Sequence, residues 1–86
     1  MNRKTVSEEI KKILLHEWDP IGVKTFVEAD DEYDMYINPI YEMLLSGKDE
    51  VDIYNYLRWV VIDNIGLNGN EQLERVVADK ILQLKQ

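Results

Sequence analysis

Four breakers limit how long any regular element in this chain can be. Asp19-Pro20, Gly47, Gly66 and Asn68-Gly69-Asn70 interrupt it. Proline drives the residue before it out of helical angles, and glycine ends helices. Each stretch between them has helical length and helical apolar spacing rather than strand alternation. The first is expected over Val6–Glu17, with Thr5 and Glu8 spaced as a capping box, Ser7 as a rival cap, and Val6, Ile10, Ile13, Leu14 and Glu17 on one stripe. Leu15 and His16 fall off that stripe. The second is expected over Asp31–Ser46, capped by Asp30, with Tyr33, Tyr36, Ile37, Ile40, Tyr41, Met43 and Leu44 on an apolar arc. Pro39 lies inside it and predicts a kink or break near residues 35–39.

The third helix is expected over Glu50–Ile65, with Asp49 and Asp52 as a reciprocal cap and Gly66 as its stop. Ile53, Tyr54, Leu57, Val60, Val61 and Ile65 share one side, while Trp59 and Ile62 fall nearly opposite. The fourth is expected over Glu71–Leu84, with Asn68 and Glu71 at capping-box spacing and Leu73, Val76, Val77, Ile81 and Leu84 as its stripe. Lys80 intrudes on that stripe, where its stem can lie along apolar neighbours. Residues 18–29 form a connector rich in apolar side chains, so it has to pack. The fold class is all-α: a four-helix irregular bundle or orthogonal helical array with a packed connector after helix one. Residues 1–86 make one domain.

Composition narrows the chemistry. With no cysteine, disulfide, thiolate-zinc, iron–sulfur and thiol chemistry are excluded. A net charge of -7 opposes tracking of phosphates, so no nucleic acid is expected as a partner. No apolar run approaches the roughly 18 residues of a membrane span, and the basic start has no apolar stretch behind it. The expectation is a soluble, cytoplasmic domain without membrane contact. The charge is unevenly placed: residues 28–52 carry nine acids and only Lys48, whereas the flanking stretches are close to neutral.

Trp18-Asp19-Pro20-Ile21-Gly22-Val23, followed by Asp31-Glu32-Tyr33-Asp34 and Tyr36, resembles the small bacterial YugE-like family, a domain of unknown function. The resemblance covers most of the chain. It implies a helical fold and a bacterial, cytoplasmic setting, and it implies no activity and no catalytic residue.

Glu28, Asp30, Asp31, Glu32 and Asp34 put five carboxylates into seven positions. The ordinary reading is a solvated helix start, where acids offset unpaired N–H groups. The second is a surface for a basic partner. The third, a divalent cation loop, meets Met35 where the motif wants glycine and Tyr41 where it wants glutamate. His16 is the only imidazole and has no nucleophile or metal partner in view; a helix-end cation is its ordinary role. The five tyrosines fit core-edge positions. Trp59 and Ile62 are either covered by the connector, which is the expectation, or form an exposed apolar anchor.

These features converge on a small protein-binding module, not an enzyme, with no cofactor and no metal. Its partner-binding residues are Glu28, Asp30, Asp31, Glu32, Asp34, Glu42 and Trp59, and its partner is a protein with a basic surface. An immunity-type inhibitor of a basic partner is one specific form, and homo-oligomerisation through the Trp59 face is another. The alternative is a metal-dependent or acid/base enzyme site built on His16, Asp19 and the 28–34 carboxylates.

Overall fold

A computed structural model describes residues 3–18 and 33–84. These are all-α, with no strand among them. Helix α1 covers Arg3–Lys12 and continues as a wider π-helical segment over Ile13–Trp18. A 3-10 turn, Asp34–Tyr36, leads into α2, Ile37–Leu45. Helix α3, Glu50–Trp59, likewise widens into a π segment, Val60–Ile65, and α4 covers Glu71–Gln83. Helix α1 packs on α2, α3 packs on α4, and α4 also rests on the π segment of the first helix. This is an irregular bundle. The connector expected after helix one lies outside the described residues except for Trp18.

The π segments correct the reading of the first helix. Ile13, Leu14 and Leu15 are all buried, as is Trp18. A regular α-helix would carry Leu15 away from the stripe, but the longer i→i+5 turns shift the register and present consecutive residues to the core. Glu17, placed on the apolar stripe from spacing alone, is instead at the surface, paired with Lys80 of α4. Thr5 and Ser7 lie within α1, so neither is its cap.

Helix α2 begins later than its acids suggest. Its first residue is Ile37, and Pro39 occupies the first turn, where its missing N–H removes no helical hydrogen bond. The expected break thus takes the form of a 3-10 turn joined to an α-helix. Tyr36, Ile40, Tyr41 and Leu44 are buried and Asn38 and Glu42 exposed, as the arc predicts. The α3 cap is as expected: Asp52 N–H donates to Asp49 Oδ1 at 3.0 Å and Asp49 N–H to Asp52 Oδ2 at 3.2 Å.

Helix α4 is capped by Asn70, not Asn68: Leu73 N–H donates to Asn70 Oδ1 at 3.0 Å. Its buried face is Glu74, Val77, Ala78 and Ile81, while Leu73 and Val76 are exposed. A charged residue at the head of the true stripe disguised it. Glu74, 1% exposed, accepts from Arg58 Nη1 at 2.7 Å through Oε1 and from the Asn70 N–H at 3.1 Å through Oε2. Arg58 Nη1 also donates to the Asn68 carbonyl at 3.3 Å. One carboxylate therefore joins α3, α4 and the loop between them. Gly66 closes α3 in the left-handed region, with Gly66 and Leu67 N–H groups both donating to the Val61 carbonyl.

Gly69 lies over this junction at φ +70, where an added Cβ would come within 2.4 Å of Glu74 Oε2 and 2.7 Å of Val61 Cγ1. At Gly66, φ +86, nothing lies within 4 Å. Gly69→Ala is expected to cost about 2–4 kcal/mol, from left-handed strain plus overlap, and Gly66→Ala only the strain, about 1–2 kcal/mol. Urea denaturation of the two variants checks this order.

Candidate functional site

The expected partner surface is only partly described. Glu28, Asp30, Asp31 and Glu32, with the Asp30 cap and the Asp19 of the alternative enzyme site, lie outside the described residues. Asp34, Glu42 and Trp59 are described, and all three are exposed.

Asp34 opens the 3-10 turn, and its Oδ1 lies 3.5 Å from Lys11 Nζ of α1. Arg3 Nη2 donates to Asn38 Oδ1 at 3.1 Å, and its guanidinium lies 5.0 Å from the Tyr41 ring centre. Helix α1 thus sets basic side chains against the start and middle of α2. An exposed pair such as Lys11–Asp34 contributes no more than about 1 kcal/mol, so it holds α1 loosely and offsets part of the local negative charge. Glu42 lies two turns beyond Asp34 on the solvent side of α2.

Aromatic side chains connect this turn to α3. Trp18, 3% exposed, meets Tyr33 at 5.6 Å between ring centres and Tyr36 edge-on at 6.1 Å. The Tyr36 hydroxyl accepts from Asn64 Nδ2 at 2.8 Å. That bond ties the Asp34–Tyr36 turn to the C-terminal end of α3's π segment. The Trp18 Nε1 is buried with no acceptor among the described residues. Ring packing on Tyr33 and Tyr36 holds the indole in place.

Trp59 is 50% exposed and Ile62 45%. The connector expected to cover them lies, apart from Trp18, outside the described residues. Trp18 itself packs on Tyr33 and Tyr36. Trp59 stacks on Tyr56 at 5.9 Å with a 28° interplanar angle. Val51, 59% exposed, lies two turns before it on α3. Asp52, Asn55 and Asp63 are exposed on the same helix. Among the described residues, no salt bridge involves Asp52 or Asp63.

His16 is exposed in the first π segment, beside a shallow groove of about 210 Å³ lined by Glu8, Lys11, Lys12 and Leu15. No hydroxyl nucleophile lines this groove. Among the described residues, no three histidine, aspartate or glutamate side chains converge as a metal site. No helix among them is long and apolar enough to cross a membrane.

Sequence reasoning missed the Arg58–Glu74 pair, which fixes how α3 is rotated. Its signal was present as the spacing of Glu74, Val77, Ala78 and Ile81. Burial raises the Tyr56 phenol above its ordinary value of 10.0, and the nearby Tyr36 adds to the effect. A phenol with a raised folded pKa gives its full contribution below the unfolded value and loses it as pH rises through the folded value. Phenolate absorbance in an alkaline titration is expected to lose its late-ionising component in Tyr56→Phe, and that variant's stability should fall less steeply above pH 10. No family model, curated protein or solved structure matches this chain significantly.

Proposed function

We propose that the chain is a protein-binding module acting through the exposed Trp59 of α3 and the acidic surface that includes Asp34 and Glu42. The observation that carries the reading is Trp59: a large aromatic side chain, half exposed, held in place by Tyr56 and accompanied by exposed Ile62 and Val51. An exposed tryptophan stacked on a tyrosine among polar neighbours has the composition of a binding hot spot. Asp34, Glu42 and the carboxylates of Glu28, Asp30, Asp31 and Glu32 supply the negative field that favours a basic partner and speeds encounter. Inhibition of a basic protein, as by an immunity-type inhibitor, is the specific form this chemistry suits. A cytoplasmic setting and kinship with the YugE-like family belong to the same proposal and rest on the sequence alone.

Affinity capture from native cell extract at low salt tests the reading. The wild-type chain is expected to retain a basic protein that high salt releases, since exposed charge attraction is screened. Retention should fall at least about tenfold for Trp59→Ala and for a chain with Asp30, Asp34 and Glu42 reversed to lysine. Retention unchanged in both variants would overturn it. The rival enzyme or metal reading predicts saturable heat on titration with calcium, magnesium, manganese or zinc, lost in Asp30→Ala with Asp34→Ala. The binding module predicts none.

A further inference from the structure

We propose that Asn68-Gly69 is a self-modifying site: Asn68 converts spontaneously to isoaspartate, and the lengthened backbone opens the junction that Arg58 and Glu74 hold closed. In the first step the Gly69 backbone nitrogen, having lost its proton to hydroxide, bonds to the side-chain carbonyl carbon of Asn68. The C–N bond of the side-chain amide breaks, and ammonia leaves with a proton taken from water, giving a cyclic imide. Water then adds to one of the two imide carbonyls and cleaves its bond to the Gly69 nitrogen, which regains a proton. One direction gives aspartate. The other gives isoaspartate, in which the chain runs through the former side chain and the former backbone carbonyl is a free carboxylate. The sum is addition of water and loss of ammonia, with no oxidation or reduction.

Ring closure needs a side chain free to turn, a following residue without bulk, and a following N–H that is not committed elsewhere. Asn68 meets all of these. It is exposed in the loop before α4, and among the described residues neither its side chain nor the Gly69 N–H makes a hydrogen bond. Its backbone carbonyl accepts from Arg58 Nη1 at 3.3 Å, so a positive charge lies at the peptide group that gives up its proton and stabilises the resulting anion. The other described asparagines each lack a condition. Asn38 precedes Pro39, which has no N–H. Asn55 and Asn64 precede the bulky Tyr56 and Ile65 inside helical segments, where N–H groups are directed back along the helix. Asn64 Nδ2 is also held by Tyr36, and Asn70 Oδ1 is held by the Leu73 N–H. Glycine at 69 is itself required, because φ is +70 and a Cβ there would overlap Glu74 Oε2 and Val61 Cγ1. The packing thus imposes the residue that makes its neighbour reactive. An extra methylene at 68 then displaces Gly69 and the Asn70 N–H, which donates to Glu74 Oε2 at 3.1 Å. The new carboxylate also competes with Glu74 for Arg58, and a buried carboxylate that loses partners destabilises the fold.

The test ages the full chain in mildly alkaline buffer at physiological temperature, beside a free peptide of the loop sequence. Peptide mass mapping locates each amide-to-acid conversion, and enzymatic methylation of isoaspartyl carboxylates counts the rearranged product. Asn68 is expected to convert on the timescale of the free peptide and at least about tenfold faster than Asn55, Asn64 or Asn70, a margin of about 1.4 kcal/mol in barrier. Asn68→Gln, whose longer side chain closes a ring far more slowly, should stay unmodified, with a far-UV circular dichroism spectrum like that of wild type. The urea midpoint of aged wild type should fall as isoaspartate accumulates, while equally aged Asn68→Gln keeps its own midpoint. An Asn68 that is still an amide after the free peptide has converted, or that converts no faster than the helical asparagines, overturns the proposal. So does a urea midpoint that is unchanged in the isoaspartyl form.

Discussion

The buried carboxylate of Glu74 sets the geometry on which the rest of the structure depends. A charge so thoroughly removed from water is tolerable only when paired and hydrogen-bonded, and Glu74 is both. Its guanidinium partner comes from α3, its backbone N–H from the loop that caps α4, and Gly69 leaves the space that lets the loop approach. Because Arg58 turns inward to α4, its neighbour Trp59, about 100° further around the helix, is carried toward solvent. Ile53, Leu57, Val60 and Val61 then fill the opposite side. The outward tryptophan is thus a consequence of the inward arginine.

Most of the fold was legible because four helices with glycine, proline and aspartate punctuation leave little choice of class. The α3 cap and stop, the buried arc of α2 and the break at Pro39 all follow from local rules that tertiary packing did not override. The rest was hidden for physical reasons. Periodicity assumes 3.6 residues per turn, so Leu15 was assigned outside the core where a π segment turns it inward. Apolar counting ranks Leu73 and Val76 above Glu74, although the ion pair makes Glu74 the buried one. The cap of α4 was read two residues early because Asn68 and Asn70 are chemically alike, and only the loop's approach to Glu74 separates them.

The candidate site was legible in the sequence as two separate features. Sequence marks Trp59 as lying off the core stripe and marks an acid-rich stretch that includes Asp34 and Glu42. What it does not show is that the Tyr36–Asn64 hydrogen bond anchors the Asp34 turn to the far end of α3. Nor does it show that Lys11 and Arg3 of α1 lie against α2 and offset part of its charge. Acidity alone is therefore a weaker argument for a partner than the count of carboxylates suggests. An exposed apolar anchor beside the exposed carboxylates of Asp52 and Asp63 is a stronger one.

The two tryptophans occupy opposite environments, which makes fluorescence quenching by acrylamide the most direct test. Trp18→Phe isolates Trp59, and Trp59→Phe isolates Trp18. Trp59 is expected to be readily quenched in the free chain and shielded once a partner binds, with Trp18 shielded throughout. A Trp59 that is shielded in the free chain, or that stays as accessible in the complex as outside it, would contradict the account.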